Sequence, residues 1–217
     1  MVSLENVTKV YRTGGSEIKA LDGIHLHVEC GEFLVVRGPS GSGKTTLLMT
    51  VAAMLRPTAG TITVDGSDLG RMSDRDRARF RARTAGFIFQ MFHLVPYLNV
   101  LENVVLGAVT AGSGEARAMA SQLLRQVGME SRALHKPLEL SAGERQRTAI
   151  ARALMSGPKL LLADEPTGNL DRENAHAVLG HLSDFHKRGG TVIVATHDVE
   201  AESLANRVIA LGHGRVV

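Results

Sequence analysis

The chain has 217 residues, 44% of them hydrophobic and 22% charged, with a formal net charge of +3. This length fits a single domain with a substantial core, and so small a net charge does not by itself indicate a nucleic-acid or membrane-surface partner. One cysteine, Cys30, excludes an internal disulfide and fits a reducing compartment. No apolar run approaches the roughly 20 residues that span a bilayer, and no signal peptide is evident. We therefore expect a cytosolic protein whose membrane role, if it has one, depends on a partner.

Strands are predicted near the N-terminus, where apolar and polar positions alternate. The alternation is clearest from Val2 to Val10 and from Ile24 to Val28, and Asp22-Gly23 predicts a turn before the second run. Phe33–Val36 is a short apolar run with the composition of a buried parallel strand. The first part of the chain is therefore expected to be β-structure.

A phosphate-binding loop follows at residues 38 to 45, Gly-Pro-Ser-Gly-Ser-Gly-Lys-Thr, which match the pattern G-x-x-x-x-G-K-[ST]. It lies between the strand at Phe33–Val36 and a helical pattern from Lys44 to Leu55. Because the loop glycines lack a Cβ, their backbone N–H groups can close around phosphate oxygens, and the helix N-terminus adds a positive dipole. A Gly/Ser-rich surface turn is the alternative, which the flanking strand and helix disfavour.

The loop predicts that the chain binds a nucleoside triphosphate. Lys44 is expected to reach the β- and γ-phosphates, Thr45 to bind Mg²⁺ and Thr46 to bond the α-phosphate. The complete set of residues expected to bind the nucleotide from this loop is Gly38, Pro39, Ser40, Gly41, Ser42, Gly43, Lys44, Thr45 and Thr46.

Downstream of this helix the periodicity changes from strand to helix. It predicts a strand at 61–64 followed by an Asp65-Gly66 turn, a helix at 74–83, a strand at 86–90, and two or three helical pieces between 91 and 156. Alternate arginines from Arg75 to Arg83 favour a solvated helix over a nucleic-acid contact, because a spacing of two spreads them around the helix. We therefore expect no nucleic-acid partner.

A buried strand that ends in two carboxylates is predicted next. Leu160–Ala163 is apolar and runs directly into Asp164 and Glu165. In a P-loop enzyme, a carboxylate at such a strand end holds Mg²⁺ opposite the loop threonine, and an adjacent one can polarise a water in line with the γ-phosphate. Two solvated acids are the alternative. Beside the phosphate-binding loop, the sequence favours Asp164 as a metal ligand and Glu165 as the catalytic base.

The rest of the chain completes an alternating α/β pattern. Its elements are a strand at 159–163, a helix at 172–187, a strand at 191–196, a short helix near 199–205 and a terminal pair of strands around Gly212. A βαβ core interrupted by a helical block predicts an α/β nucleotide-binding domain with an inserted helical lobe. We expect one domain over 1–217, with 1–90 and 157–217 forming a β subdomain plus the nucleotide-binding core and 91–156 forming the helical lobe.

Five features together resemble the ATP-binding-cassette (ABC) ATPases. Leu140-Ser-Ala-Gly-Glu-Arg-Gln-Arg147 resembles their signature sequence, and Asp164-Glu-Pro-Thr-Gly-Asn-Leu-Asp171 resembles their second nucleotide motif running into the D-loop. Gln90 stands where the family has its Q-loop glutamine, Tyr11 where an aromatic ring stacks on adenine, and His197 where the switch histidine lies. The resemblance implies an α/β fold with a P-loop RecA-like core, an N-terminal antiparallel β subdomain and an inserted α-helical subdomain.

The resemblance also implies roles for residues outside the phosphate-binding loop. Ser141 and Gly143 would contact the γ-phosphate of the nucleotide on a second copy of the chain, so that two copies sandwich two ATP molecules, with Asp171 at the interface. Gln90 would join Mg²⁺ to the catalytic site, and His197 would hold the attacking water. A lone histidine at a strand end is usually structural; the position of His197 within the motif set reverses that interpretation.

Two residues depart from the family pattern, since Ala142 stands where Gly is usual and Glu144 where Gln is common. We expect Ala142 to slow dimer closure without removing activity. The stretch Met91–Leu98 is apolar and interrupted by Pro96. Local core packing explains it, and so does an exposed surface that receives a helix of a membrane permease, as the resemblance implies.

The resemblance is greatest to a bacterial group of lipoprotein-release, macrolide-export and cell-division ATPases. It implies an ATP-hydrolysing subunit that acts with a permease at the cytoplasmic side of the inner membrane. Two alternatives stay open: an ATPase scaffold that gates an envelope enzyme in cell division, and a soluble ABC ATPase of DNA maintenance. Cargo and direction of movement are not predicted by any residue.

Overall fold

Two β-sheets and a set of helices form the fold in the computed structural model, which describes residues 1–13, 16–108 and 112–217. The strands are β1 (Val2–Thr13), β2 (Ser16–Val28), β3 (Phe33–Arg37), β4 (Ala59–Val64), β5 (Ser67–Asp68), β6 (Ala85–Ile88), β7 (Leu160–Asp164), β8 (Thr191–Ala195), β9 (Arg207–Gly212) and β10 (Arg215–Val216). The helices are α1 (Lys44–Val51), α2 (Asp74–Thr84), α3 (Val100–Val105), α4 (Ser113–Gln126), α5 (Ala142–Leu154), α6 (Arg172–Lys187) and α7 (Val199–Ser203). Short 3₁₀ turns at Glu130–Arg132 and Pro137–Glu139 precede α5.

The N-terminal sheet is antiparallel, with the strand order β2-β1-β4-β5. Val2 and Leu4 of β1 face Val28 and Leu26 of β2, and all four side chains are buried. Cross-strand apolar pairs of this kind stabilise a sheet by roughly 0.2–1 kcal/mol each. The strands predicted from the alternation of apolar and polar residues are therefore confirmed, and the apolar positions form the buried face of this sheet.

The second sheet has the order β10-β9-β3-β8-β7-β6, and its central strands run parallel. β7 and β8 are buried at every position, because helices and the first sheet cover both faces of this sheet. Continuous apolar runs are what a parallel strand covered on both faces requires. The parallel strands β3, β6, β7 and β8 end at one edge, which brings the segments after them together.

Two apolar clusters hold the layers together. One lies between the two sheets and includes Leu48 of α1 and Ile62 of β4; the other joins the parallel sheet to the helices and includes Ile150 of α5 and Leu179 of α6. Full burial of one such side chain contributes about 1.5–3 kcal/mol. At Gly86, a Cβ would lie 2.5 Å from the carbonyl oxygen of Ala153, so helix α5 packs directly on the β6 backbone.

Two local predictions are wrong. Asp22-Gly23 is not a turn between strands: both residues lie within β2, where Gly23 has a φ of +65° and donates its N–H to Thr8 Oγ1 at 3.1 Å. This irregularity bends β2 without ending it. Helix α1 ends at Val51 and not at Leu55, because Ala53 takes a left-handed φ of +56°. Both departures depend on backbone conformations that apolar periodicity does not record.

The predicted class is confirmed: an α/β fold that combines an antiparallel sheet, a largely parallel P-loop core sheet and helices between residues 100 and 154. Among the described residues, none of the helices is both long and apolar enough to span a bilayer. The exact subdomain boundaries at residues 90, 91, 156 and 157 stay a prediction.

Candidate active site

A cavity of about 570 Å³ lies at the edge where the parallel strands end. This volume is within the range of nucleotide-sized ligand sites. The cavity brings together the loop after β3, the turn after β6, the end of β7 and the segment after β8. Its lining residues are Ala20, Gly38, Pro39, Ser40, Gly41, Ser42, Gly43, Lys44, Thr45, Thr46, Gln90, Asp164, Glu165 and His197.

Glycine is required in the phosphate-binding loop for two different structural reasons. A Cβ at Gly38 would lie 2.2 Å from the carbonyl oxygen of Leu211, and one at Gly43 would lie 2.2 Å from that of Ala20. Both positions therefore require glycine, because neighbouring strands approach their backbone. Gly41 has open space around it and a φ of +77°, so its requirement is the left-handed conformation alone. The loop is therefore packed between β2 and β9, and its residues line the cavity.

Polar groups inside the loop lie in a buried setting. The Lys44 ammonium donates to the carbonyl oxygens of Gly38 at 2.6 Å and Pro39 at 3.3 Å, and its side chain is only 9% exposed. Ser42 Oγ is buried without a hydrogen-bond partner in the described part of the chain. A buried hydroxyl without a partner is costly, so it is suited to meet a ligand oxygen. Both groups are therefore available to an anion in the cavity.

Asp164 and Thr45 lie next to each other in the lining of the cavity. Burial raises the pKa of the Asp164 carboxyl above its ordinary value, with a hydrogen bond from Thr45 opposing the shift, Glu165 adding to it and Lys44 lowering it. Asp164 Oδ1 has no hydrogen-bond partner among the described residues. A carboxylate that is desolvated and only partly satisfied is stabilised by a cation.

Glu165 lies between a lysine and a histidine. Its Oε1 is 3.5 Å from Lys44 Nζ, and its Oε2 is 3.1 Å from His197 Nδ1. Glu165 Oε2 has no hydrogen-bond partner among the described residues. Its contact with His197 is therefore close but lacks hydrogen-bond geometry. Glu165 takes a φ of +44°, held by its N–H donating to the Ala195 carbonyl at 2.8 Å. Strain of this kind concentrates at functional sites because it fixes a side chain's direction.

Gln90 enters the cavity from a tight turn. The N–H of Phe92 donates to the carbonyl of Phe89 at 3.4 Å, so that Gln90 and Met91 form the centre of the turn. A Cβ at Gly168 would lie 3.6 Å from Gln90 Nε2, which places the amide against the loop that follows Glu165. Gln90, Asp164, Glu165 and the phosphate-binding loop therefore share one site.

The signature residues Ser141 and Gly143 lie outside the lining of this cavity. Ser141 caps α5: its Oγ accepts the Glu144 N–H at 3.2 Å, and Glu144 Oε2 accepts the Ser141 N–H at 2.8 Å. This backbone hydrogen bond is the main reason why the pKa of Glu144 lies below its ordinary value. The departure at Glu144 is thereby explained, because a glutamate closes this capping box as a glutamine would.

Asp171 also lies outside the cavity and caps the next helix. It accepts the Asn174 N–H at 2.8 Å, and the Asn174 amide donates to both carboxylate oxygens at 2.9 Å. The bond from the Asn174 backbone is the largest cause that lowers the pKa of Asp171. Asn174 Oδ1 in turn accepts from Arg147 at 2.8 Å. The D-loop and the signature helix are therefore joined within one chain.

Tyr11 lies on β1 and is likewise absent from the cavity lining. Its ring is 38% exposed, and the Lys9 ammonium lies 5.3 Å from the ring centroid. Sequence reasoning missed two residues near the site. Ala20 lines the cavity from the edge strand β2, and Thr167 donates to Asp198 at 2.9 Å, joining the loop after Glu165 to the segment after His197. Ala20 belongs to no motif. Thr167 lies within the Asp164–Asp171 motif, but its hydrogen bond to Asp198 joins segments 31 residues apart, which that motif does not predict.

A phosphate-binding loop and a strand-end carboxylate pair on a parallel sheet define a P-loop nucleotide-binding protein. Known proteins agree: the sequence profile described as "ABC transporter" matches residues 21–168. The ATP-binding protein LolD of the lipoprotein-releasing system of Geobacter metallireducens is 44% identical over all of this chain and 98% of its own length. The macrolide export ATP-binding/permease protein MacB of Chlorobaculum tepidum is also 44% identical, and the chain spans 34% of its length.

A solved structure shares the whole fold. It is the dimeric ATP-binding cassette MJ0796 in a post-hydrolysis state with ADP and Pi, which has a TM-score of 0.94 and 38% identity over all of this chain and 96% of that one. The chain belongs to the ABC transporter family. It is an ATP-binding and ATP-hydrolysing subunit, as the sequence predicts.

Proposed function

We propose that the chain powers a membrane complex of the lipoprotein-release or macrolide-export type, in which two copies close on two ATP molecules. The observation that carries this is the shared cavity, where the phosphate-binding loop, Gln90, Asp164 and Glu165 meet. Relatives named LolD and MacB, which align over the whole chain, support the type. The chain spans 34% of the length of that MacB protein, and the permease activity in the name belongs to that protein.

Glu165 is the proposed base for hydrolysis. Its carboxylate takes the proton of a water that attacks the γ-phosphorus, and ADP is the leaving group. His197, 3.1 Å from Glu165 Oε2, orients that water, and Lys44 moves from its contacts with Gly38 and Pro39 to the phosphates. Tyr11 packs on adenine. Stacking of this kind contributes about 1–3 kcal/mol per base.

The residues at the strand ends fit Mg²⁺. Asp164 offers an unpartnered, buried oxygen beside the Thr45 hydroxyl, and Gln90 offers an amide oxygen at the same cavity. An all-oxygen donor set with few protein ligands is the kind that Mg²⁺ takes beside phosphates. When bound, the ion supplies positive charge that neutralises the phosphate oxygens. Thr45, Asp164 and Gln90 are its proposed ligands.

The second copy completes each site through Ser141, Gly143 and Asp171. None of these three residues lines the chain's own cavity, and Ser141 and Gly143 lie at the N-terminus of α5, where N–H groups and the helix dipole favour a phosphate. The dimeric state of the solved relative supports this arrangement. In the proposed dimer, each γ-phosphate lies between the phosphate-binding loop of one copy and the signature sequence of the other copy.

Met91–Leu98 is the proposed docking surface for an integral membrane permease. Met91 and Tyr97 are 67% and 75% exposed, and the segment continues directly from the Gln90 turn. Exposed large apolar side chains mark an interaction site where they form a contiguous patch, which is what the proposal assigns to this segment. The chain would then lie at the cytoplasmic face of the inner membrane, where permease movement and the ATP site meet.

The test compares ATP hydrolysis by the wild type and by Glu165→Gln. We expect kcat to fall by about 10²–10⁴-fold, while binding of a fluorescent ATP analogue is unchanged, because the amide keeps the shape but cannot take the proton. Gel filtration should show a dimer for Glu165→Gln with ATP and Mg²⁺. Turnover close to that of the wild type would remove Glu165 from the role of base.

A further inference from the structure

The backbone beyond Gln90 is unusual in conformation. Phe92 and His93 are consecutive, lack the freedom of glycine, and both take a left-handed φ, +49° and +48°. Single residues adopt this region at an energetic cost, and a pair persists only where the surroundings hold it. Because the turn that carries Gln90 ends at Phe92, whatever holds this pair also determines where Gln90 lies.

One side chain holds both residues. Arg152 Nη1 donates to the carbonyl oxygen of His93 at 2.6 Å, and Nη2 donates to that of Phe92 at 2.7 Å. The two bonds use the planar fork of a single guanidinium, a geometry that an ammonium cannot reproduce. They span 59 and 60 residues of sequence. Arg152 lies in the last turn of α5, the helix that begins after Ser141.

The surroundings of Arg152 exclude a simple ion pair. Among the described residues no carboxylate lies within ion-pair distance of it, and burial alone lowers its pKa. Its charge is therefore balanced by the two carbonyl dipoles. The same helix adds a second contact, since the Arg145 guanidinium lies 5.5 Å from the centroid of the Phe92 ring. Helix α5 thus grips the Gln90 turn at two points.

We propose that Arg152 is a positioning residue for Gln90. By holding the Phe92 and His93 carbonyls, it joins the turn that places Gln90 in one ATP site to α5, the helix whose N-terminus meets the nucleotide of the second ATP site in the proposed dimer. The inference rests on the proposed function, because Gln90 matters only if it serves Mg²⁺ and ATP. Engagement of Ser141 by one nucleotide then moves Gln90 at the second, so the two sites act together.

The experiment compares Arg152→Met, which keeps length but loses the donors, with Arg152→Lys, which keeps the charge but loses the planar fork. Arg117→Met is the matched control, since Arg117 is exposed on α4. For Arg152→Met we expect kcat to fall about tenfold or more, as for lost support of a metal ligand, with the KM for ATP nearly unchanged. Arg152→Lys should recover part of the loss, and Arg117→Met should match the wild type.

A binding measurement separates positioning from general damage. The Mg²⁺ concentration that half-saturates binding of a fluorescent ATP analogue should rise in Arg152→Met as it does in Gln90→Ala. The double variant should be no worse than Gln90→Ala alone, because both changes remove one function. Losses that multiply in the double variant, or an unchanged Mg²⁺ requirement, would overturn the proposal.

The same series distinguishes the two levels of the account. If Glu165→Gln and Gln90→Ala lower turnover while Arg152→Met matches the wild type, the inference fails and the proposed function stands. If Gln90→Ala is as active as the wild type, the role of Gln90 falls and Arg152 falls with it. Thermal unfolding of each variant shows whether it is folded. If Arg152→Met does not fold, the comparison of Arg152→Lys with the wild type still tests the proposal.

Discussion

Replacing Ser141 by aspartate separates its two roles, helix cap and phosphate contact. Serine and aspartate cap helices about equally well, whereas alanine costs about 1 kcal/mol. The chain offers a matched control in Ser73, which caps α2 by accepting the Asp76 N–H at 3.2 Å, the same distance as from Ser141 Oγ to the Glu144 N–H. Both serines also have an acidic residue three positions later, so an added carboxylate meets a nearby like charge at each cap.

The expected magnitudes differ between stability and activity. Ser141→Ala and Ser73→Ala should each lower Tm by about 2–4 °C, the shift that 1 kcal/mol produces in a chain of this size, while the aspartate variants should stay closer to the wild type. A carboxylate about 4 Å from the γ-phosphate is repelled by about 4 kcal/mol at an effective dielectric constant near 20. Turnover by Ser141→Asp should therefore fall by about 10³-fold.

Steady-state phosphate release and thermal unfolding of the four variants provide the assay. Ser73→Asp should hydrolyse ATP at the wild-type rate, and Ser141→Asp should bind ATP as a monomer without turning it over. Equal activity of the two aspartate variants would refute the reasoning, because it would show that Ser141 is a helix cap and meets no phosphate.

Two further predictions concern burial and close packing. Burial lowers the pKa of His181, so this side chain stays neutral in the folded state, whereas the unfolded chain takes up a proton near pH 6.5. Stability is therefore lost as the pH falls below that value. His181→Gln should show a smaller drop in Tm between pH 7 and pH 5 than the wild type. An equal drop in both proteins would contradict this. A Cβ at Gly143 would lie 2.0 Å from Asn174 Oδ1, so Gly143→Ala should destabilise the chain, and Asn174→Gly should relieve it with a coupling of about 1–3 kcal/mol in urea unfolding. Additive losses in the two variants would show that the contact is not the cause.

The elements whose conformation depends on neighbouring residues could be predicted from the sequence. The phosphate-binding loop, the strand before Asp164 and the alternating strands of the first sheet each have a periodicity or spacing that only neighbouring residues determine, and the structure places them as predicted. The requirement for glycine at Gly38 and Gly43 has a different origin. It comes from the carbonyls of Leu211 and Ala20, which are distant in sequence, so no local pattern could give it.

The alternate arginines show how tertiary contacts override a correct helix prediction. Helix α2 is present as predicted, but the interpretation of its arginines as a solvated face fails at Arg77, which is 3% exposed. Arg77 donates to the carbonyls of Leu69 and Ala53, and Arg81 donates to that of Ala53 as well. These bonds satisfy the chain just beyond α1, where Ala53 turns left-handed, and the sequence records neither partner.

The site residues divide in the same way. Gln90, Asp164, Glu165 and His197 meet the phosphate-binding loop because each lies at or just after the end of a strand of one parallel sheet, which the element order predicts. Arg152, Asn174 and Thr167 contact the site or its supports through hydrogen bonds between distant segments. Such contacts become visible only when the chain is folded.

The central claim, that two copies share each ATP site, is tested most directly by mixing two inactive variants. Glu165→Gln lacks the base and Ser141→Asp lacks the signature contact, so a mixed dimer has one site with both defects and one intact site. With random pairing, half of the dimers are mixed and each has one site without either defect, so the mixture should regain activity, up to about a quarter of the wild-type rate, the value that independent sites would reach. A mixture that stays inactive, although the subunits exchange, would contradict the shared site.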